Sequence, residues 1–222
     1  MIVIDPGHSP QITSTDPATG LDDSTYENDP EMADVFAVSV LVQRRLQADG
    51  YTVVMTKNAV GDRVSLGQRA AIANGAGAAL AISVHDQAGA DGGIPFASGN
   101  NIVYTQTVGK YRATPDGRHV TFTNAAVAAT SQRYGAVFQT QRAAAEGHAI
   151  RVMGDTGYDQ GTRGHPGGNM WMVQLLSTVP WIYNEAGGNS AGTVGLTAAD
   201  QQRYAAGLVA SVEACVPAGR GG

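Results

Sequence analysis

Ile2-Val3-Ile4-Asp5-Pro6-Gly7-His8 is the stretch that decides the fold, because three apolar residues predict a short buried strand and the turn after them presents a histidine. The same arrangement recurs at Ala81-Ile82-Ser83-Val84-His85. A third apolar run, residues 179–185, ends on the carboxylate of Glu185. In open α/β sheets, sites form at the carboxyl ends of the strands. If these strands are neighbours, two imidazoles and a carboxylate lie at one edge, which is typical of a metal hydrolase.

Predicted strands alternate with predicted helices along the rest of the chain. Asp29-Pro30-Glu31 indicates a helix start with Asp29 as N-cap and Pro30 at the first helical position. Apolar residues spaced by three or four extend this helix to about Asp49. Further helices are expected over 66–74, 124–147 and 197–215, and further strands over 51–56, 78–85, 102–105 and 150–153. The pattern predicts a three-layer α/β sandwich, a mostly parallel twisted sheet flanked by helices, in a single domain over residues 1–222.

Composition excludes several classes of protein. The 222 residues carry a net charge of −5, which argues against the basic face that nucleic-acid binding requires. Cys215 is the single cysteine, so an internal disulfide and a cysteine-rich zinc site are excluded. No apolar run reaches the length of a membrane span, so we expect no membrane insertion. The first residues are typical of a strand rather than of a signal peptide.

Three residues on separate elements are the best candidates for metal ligands. Zinc hydrolases typically hold the metal with three ligands drawn from His, Asp and Glu and leave one position for water. The contiguous His-Glu-x-x-His signature is absent, which leaves His8, Glu31 and His85. Each alone is a weak signal, since a strand-end histidine can be a core residue and Glu31 a plain helix-start acid. Their combination with Glu185 favours the metal site.

Four motifs in order resemble one family: "IVIDPGH", Glu31 with its helix and "GYTVVMTK", "LGQRAAIAN" with "AISVH", and "VPWIYNEAG". The chain resembles the zinc-dependent N-acetylmuramoyl-L-alanine amidases of the three-layer α/β type, which hydrolyse peptidoglycan. The resemblance implies one Zn²⁺ per chain held by His8, Glu31 and His85. It also implies Glu185 as the catalytic glutamate. Asp86-Gln87 after His85, and residues 153–172, depart from the family pattern and lie where specificity would be set.

The resemblance implies a reaction: hydrolysis of the amide between N-acetylmuramic acid and the L-alanine of the stem peptide. Zinc-bound water would be the nucleophile, and Glu185 the general base and then the acid for the departing nitrogen. Partial desolvation at a strand end would raise the pKa of this carboxyl, as that role requires.

Other residues are candidates for substrate contact or for structural roles. Arg163, Asn169 and Trp171 are candidates for binding sugar or stem peptide, with Trp171 in the core as the alternative. Arg69 is expected to form a structural ion pair. The polar segment 9–29 is expected to be a long surface loop, and because it lies between two ligands we hypothesise that it gates the site.

Two other functions compete with the amidase. The first is a zinc carboxypeptidase or deacylase that uses the same ligands on another acyl substrate. The second is a non-catalytic wall-binding protein, which the presence of all four site residues disfavours. We expect a monomer whose partner is peptidoglycan or a muropeptide, without nucleic acid. The expected location is extracytoplasmic or at the cell wall, as a mature form, a truncated form or a phage lysin acting in wall remodelling or lysis.

Overall fold

The computed structural model describes residues 1–87, 101–157, 167–187 and 195–219. Within these ranges the strands are β1 (Ile2–Pro6), β2 (Val53–Met55), β3 (Leu80–His85), β4 (Ile102–Tyr104), β5 (Tyr111–Ala113), β6 (His119–Thr121), β7 (Arg151–Met153) and β8 (Trp181–Glu185). The helices are α1 (Asp29–Ala48), α2 (Leu66–Gly75), α3 (Ala125–Glu146), α4 (Met172–Leu175) and α5 (Ala198–Cys215).

Six strands form one sheet in the order β2-β1-β3-β8-β4-β7. Strands β2, β1, β3 and β8 are mutually parallel, whereas β4 is antiparallel to β8 and parallel to β7. The prediction of a mostly parallel sheet with helices on both sides is therefore confirmed. Strands β1, β3 and β8 are adjacent, so the three strand ends that the sequence singled out meet at one edge.

Helices cover both faces of the sheet. One face packs against α1, α3 and α5, and the other against α2 and α4. Because β1 and β3 are covered on both sides, all of their residues are buried, which explains their nearly continuous apolar runs. Side chains alternate between the faces. The core of the α1, α3 and α5 face includes Ile4, Ile82, Ile182, Phe138 and Tyr204, and that of the opposite face includes Val3, Ala81, Trp181, Tyr183 and Val173.

Helix α1 begins one residue earlier than its sequence pattern indicates. Asn28 is the N-cap, so the prediction that Asp29 caps the helix is wrong. Proline is tolerated in the first turn because the N–H that it lacks has no intrahelical partner there. The Asn28 side chain makes no cap hydrogen bond and instead donates to the Glu31 carboxylate at 2.8 Å. Glu31 remains in the first turn, buried and directed at the edge of the sheet.

The segment between β1 and α1 is more ordered than the predicted surface loop. Thr15 and Asp22 form an antiparallel bridge, and Leu21 is buried. The Asp23 carboxylate accepts hydrogen bonds from Ser65 Oγ (2.5 Å) and from the Gly67 backbone N–H (2.6 Å), at the start of α2. The segment is therefore packed against a helix that itself supports the site.

One strand pair and one short helix have no counterpart among the elements that the sequence predicts. Strands β5 and β6 form an antiparallel pair outside the main sheet, and α4 is a single turn before β8. Both are too short to show a periodic pattern. No helix among the described residues is both long and apolar enough to cross a membrane.

Candidate active site

His8 sits in a turn that the backbone adopts only with support. Its φ is 54°, in the left-handed region that a histidine seldom occupies. Its carbonyl oxygen accepts hydrogen bonds from Lys57 Nζ at 2.8 Å and from Arg69 Nη2. Arg69 also pairs with Asp5 at 2.6 Å, so the expected structural ion pair is present. Two buried cations thus hold the turn that presents the first histidine.

The His8 ring is oriented by a backbone carbonyl. His8 Nδ1 lies 2.8 Å from the Tyr26 carbonyl oxygen, which can only accept, so this nitrogen carries the proton. Nε2 is then the nitrogen available to a metal, and it lies 2.8 Å from Glu31 Oε2. A histidine ligand whose second nitrogen is fixed in this way is typical of metal sites.

His85 ends β3, and its ring is packed on three sides. It stacks on Tyr183 with ring centroids 4.5 Å apart and an interplanar angle of 14°. A Cβ built on Gly7 would lie 2.4 Å from His85 Cε1, so only glycine fits beneath the ring. His85 Nδ1 lies 2.9 Å from Glu31 Oε1. The sheet, the turn and the helix start together fix this imidazole.

Glu31 joins the two histidines. Its carboxylate also accepts from the Asp86 backbone N–H at 3.2 Å. Burial alone would raise the pKa of Glu31, but the charge and hydrogen bonds of His8, and then those of His85, outweigh it and lower the pKa to about 2. The pKa of His8 is raised because the attraction of Glu31 exceeds the effect of burial, whereas burial lowers the pKa of His85. Glu31 is therefore an anion held between two imidazoles.

The three side chains fit a divalent metal of the zinc type. One ligand atom from each of His8, Glu31 and His85 lies within 4.8 Å of the other two. Two imidazoles and one carboxylate are a donor set that zinc hydrolases use, with the fourth position left for water or substrate. The structure thus brings together the three residues that the sequence proposed as ligands.

Glu185 lies beside this cluster. It is the register partner of His85 in the neighbouring parallel strand, so the two side chains leave the sheet on the same face. Glu185 as a residue is partly exposed, although its carboxyl is surrounded closely enough for burial to dominate its pKa. Burial raises the pKa of Glu185 well above its ordinary value, the negative charges of Glu31 and Asp86 add to this, and Arg142 opposes it. A carboxyl whose pKa is raised in this way is a candidate for a proton-transfer role.

The proposed substrate-contact residues differ in placement. Trp171 is half-buried and stacks on Tyr183, with centroids 4.7 Å apart, so Trp171, Tyr183 and His85 form one continuous stack. Asn169 is buried, and its Oδ1 accepts from the Tyr111 backbone N–H at 3.0 Å. Arg163 lies outside the described residues. All three assignments stay predictions.

Sequence reasoning missed the residues that support the site from below. Lys57 lies two residues after the end of β2, at the same sheet edge as the other strand ends, and this position is a signal that could have identified it. Arg142 falls on the inward stripe of α3, where a charged residue among Ser131, Gly135 and Phe138 is unusual. Tyr204 has no such signal, because its apolar ring fits the inward stripe of α5 as any core residue would.

The fold and the site together are typical of metal-dependent hydrolases of the three-layer α/β type, with a candidate metal site at the carboxyl ends of the parallel strands. Residues 2–187 match the family model described as N-acetylmuramoyl-L-alanine amidase, and the chain belongs to this family. The family that the sequence motifs suggested is therefore confirmed. A search of curated proteins finds no match.

Solved structures of amidases share the fold. The amidase Ami1 from Mycobacterium smegmatis superposes with a TM-score of 0.65 at 18% identity, covering 96% of this chain and 95% of that one. Ami1 from Mycobacterium abscessus, in its apo form, gives 0.66 at 16% identity, with 97% of each chain covered. The catalytic domain of CwlV from Bacillus (Paenibacillus) polymyxa gives 0.58 at 18% identity, with 96% of each covered. At these identities the likeness concerns the fold.

Proposed function

We propose that the protein is a zinc-dependent amidase that cleaves the bond between N-acetylmuramic acid and L-alanine of the peptidoglycan stem peptide. The observation that carries the proposal is the cluster of His8, Glu31 and His85 with Glu185 beside it, at the carboxyl edge of the sheet of a family member. In this proposal the first three residues are the metal ligands and Glu185 is the catalytic residue.

The roles of the side chains follow from their surroundings. When bound, Zn²⁺ would polarise the scissile carbonyl and make a water molecule more acidic. His8 and His85 act as neutral donors, and the Glu31 anion offsets part of the metal charge. Glu185 takes a proton from the attacking water and then delivers it to the departing L-alanine nitrogen. A raised pKa makes the Glu185 carboxylate a stronger base toward the attacking water, and the carboxyl formed then carries the proton that the departing nitrogen takes up.

Substrate contact is proposed along the wall that continues from His85. The half-buried Trp171 ring extends this wall beyond Tyr183 and offers an apolar surface to sugar or peptide. Arg163 is kept as a candidate on sequence grounds. Asn169 is kept as well, although its side-chain Oδ1 already accepts a hydrogen bond from the Tyr111 backbone N–H.

The proposal extends to the setting in which the enzyme acts. We propose one catalytic domain over residues 1–222, acting as a monomer on peptidoglycan outside the cytoplasm or at the cell wall. The acidic net charge of −5 supports a substrate recognised through sugar and peptide groups rather than through a polyanionic backbone.

The test compares wild type with Glu185→Gln, using Glu213→Gln on the exposed side of α5 as the matched control. Zinc content is measured by atomic absorption, and a purified muropeptide is analysed for free stem peptide. We expect about one zinc in each variant and a loss of hydrolysis of about 100- to 10,000-fold in Glu185→Gln alone.

Other outcomes would change the proposal in different ways. Zinc bound without release of stem peptide by wild type would favour a carboxypeptidase or deacylase acting on another acyl group. Undiminished hydrolysis by Glu185→Gln would refute the role of Glu185. A wild-type protein without zinc affinity would refute the metal site.

A further inference from the structure

We propose that Arg142 and Tyr204 are positioning residues, which hold the backbone of Glu185 and His85 from the face of the sheet opposite the active site. The inference rests on the proposed function, in which the Glu185 carboxyl must lie within reach of the reacting atoms. Both residues reach these strand ends through backbone carbonyl oxygens, Tyr204 through that of His85 and Arg142 through that of Glu185. Both belong to helices, α3 and α5, that pack together behind the sheet.

Arg142 uses its guanidinium to join two strands. Its Nη2 donates to the Glu185 carbonyl at 3.1 Å, and its Nη1 donates to the Ile102 carbonyl at 3.3 Å and to Asn184 Oδ1 at 3.4 Å. Ile102 and Glu185 are register partners in β4 and β8, where the sheet changes from parallel to antiparallel. One side chain therefore fixes both strands at the level of the catalytic carboxyl.

All five N–H groups of Arg142 have acceptors. The remaining two contact Glu146, with Nε to Oε1 at 2.6 Å and Nη2 to Oε2 at 3.2 Å. A lysine has only three donors and could not satisfy this set. A buried ion pair is seldom justified by stability, since an apolar pair of similar volume is often as stable. Positioning of Glu185 would explain why the buried Arg142–Glu146 pair is present, which a contribution to stability does not.

Tyr204 completes the support under His85. Its hydroxyl lies 3.1 Å from the His85 carbonyl oxygen and 3.3 Å from that of Asn184, and Arg142 lies over its ring at 4.7 Å. A Cβ on Gly207 would lie 3.0 Å from Arg142 Cα, so glycine allows α5 to approach α3 at this level. The two helices thus deliver a hydroxyl and a guanidinium to the carbonyls of adjacent register partners.

The supporting side chains and the active-site side chains lie on opposite faces of the sheet. Tyr183 and His85 project toward the α2 and α4 face, as Glu185 does by alternation, whereas Asn184 projects toward Arg142. Loss of the support would let the Glu185 backbone move without altering the metal ligands His8 and Glu31. Displacement of a catalytic group by about 1 Å can lower a rate about 100-fold.

The test uses the full chain loaded with zinc and a purified muropeptide. The double variant Arg142→Met with Glu146→Leu removes the guanidinium without leaving a buried carboxylate unpaired, and Tyr204→Phe removes only the hydroxyl. Arg133→Met, on the exposed side of α3, is the matched control. We expect kcat to fall by up to about 100-fold in the double variant and by less in Tyr204→Phe, with KM and zinc content unchanged. Thermal unfolding checks that each variant is folded.

A double-mutant cycle with Glu185→Gln distinguishes positioning from a general structural effect. In that background the Arg142/Glu146 substitution should have no further effect on the residual rate, because the group that it positions is already inert. A further drop, loss of zinc, or an unchanged kcat in the Glu185-containing double variant would overturn the inference.

The outcomes also separate this inference from the proposed function. If Glu185→Gln is inactive but the double variant has wild-type kcat, only the inference fails. If Glu185→Gln is fully active, the proposed role of Glu185 fails and the inference with it. Should the double variant not fold, Tyr204→Phe decides, since wild-type kcat there would overturn the inference and a lowered kcat with zinc retained would support it.

Discussion

Each half of the site stands on one buried arginine, and the two arginines support different kinds of backbone. Arg69 donates all five N–H groups around the His8 turn, to Val64 O, Asp5 Oδ1, Pro6 O, His8 O and Ser9 Oγ. Arg142 also uses five N–H groups, three of them at the ends of β4 and β8 and two on the Glu146 carboxylate. The His8 turn is irregular, with positive φ, whereas Glu185 lies in a regular strand. Arg69 therefore stabilises the irregular backbone of the His8 turn, whereas Arg142 adds hydrogen bonds to strand ends whose conformation the sheet already determines.

The two arginines also differ in how well their positive charge is balanced by nearby carboxylates. Arg142 is matched by Glu146 in a bidentate pair one turn along its own helix. Arg69 shares Asp5 with Thr56 and Ser83, and a second cation, Lys57, lies beside it. Burial, and then the charge of Arg69, lower the pKa of Lys57 to about 8. Two neighbouring cations therefore repel each other at the His8 turn, whereas the cation at the strand ends is paired. Substitutions at the His8 turn should for this reason have larger effects.

The largest effect is expected from Arg69→Met. The variant leaves the Asp5 carboxylate buried without its cation, and breaking a buried pair in this way costs about 3–5 kcal/mol of unfolding free energy. Urea unfolding of the metal-free protein measures the loss. Arg69→Lys, which keeps the charge but not the five donors, should recover part of it. A loss below 1 kcal/mol would show that the turn does not depend on Arg69.

Gly7→Ala should have the next largest effect. The new methyl group would overlap the His85 ring, which cannot retreat because Tyr183 is stacked on it. We expect hydrolysis to fall about 100-fold, with weakened zinc binding, since a ligand displaced by about 1 Å no longer meets the others. Gly61→Ala is the control for a glycine whose added Cβ meets no atom within 4 Å and whose φ is not positive. Wild-type zinc affinity in Gly7→Ala would mean that His85 is not a ligand.

Lys57→Met should have an intermediate effect, on the metal rather than on folding. Removing a buried cation that has a lowered pKa relieves a desolvation cost, so stability should change little. The Gly7 and His8 carbonyls nevertheless lose their donor. Loss of a group that orients a ligand typically weakens metal binding about 10- to 100-fold. Competition with a chelator measures the affinity. An unchanged zinc affinity would mean that Arg69 alone is sufficient to hold the His8 turn.

The smallest effect is expected from Trp171→Leu, which shortens the aromatic wall beyond Tyr183. We expect KM for a muropeptide to rise about 5-fold, corresponding to about 1 kcal/mol of binding free energy, with kcat and zinc content preserved. Tyr134→Leu, an aromatic residue on α3 away from the site, is the control. A KM equal to that of wild type would leave Trp171 with a packing role only.

The same comparison explains what could be predicted from sequence. Strands β1, β3 and β8 were predictable because burial on both faces leaves a continuous apolar run, and the residues that end them stand out by type. Helix α1 and Glu31 were predictable from periodicity and from a proline near the helix start. The site could thus be proposed from residues that stand at the ends of strong local patterns.

The rest depends on contacts that no local pattern encodes. The Lys57, Arg69 and Arg142 side chains reach backbone carbonyls 40 to 63 residues away, and Tyr204 reaches one 119 residues away. Strands β5 and β6 have three residues each, and His119–Thr121 includes exposed side chains, so they show no core-facing alternation. The turn Thr114-Pro115-Asp116-Gly117 between them is a signal for a hairpin that the sequence alone could have supplied.

The position of β8 in the sheet determines when the sheet can be completed during synthesis of the chain. It is the last strand in sequence among the described residues, yet it pairs with β3 on one side and β4 on the other. During synthesis, every earlier strand emerges before the one that joins the two halves of the sheet. Pairing over such sequence separations is slow, and unpaired strand edges are prone to aggregation. A growing chain therefore gains a continuous sheet and the Glu185 carboxyl in the same step, when β8 is inserted between β3 and β4.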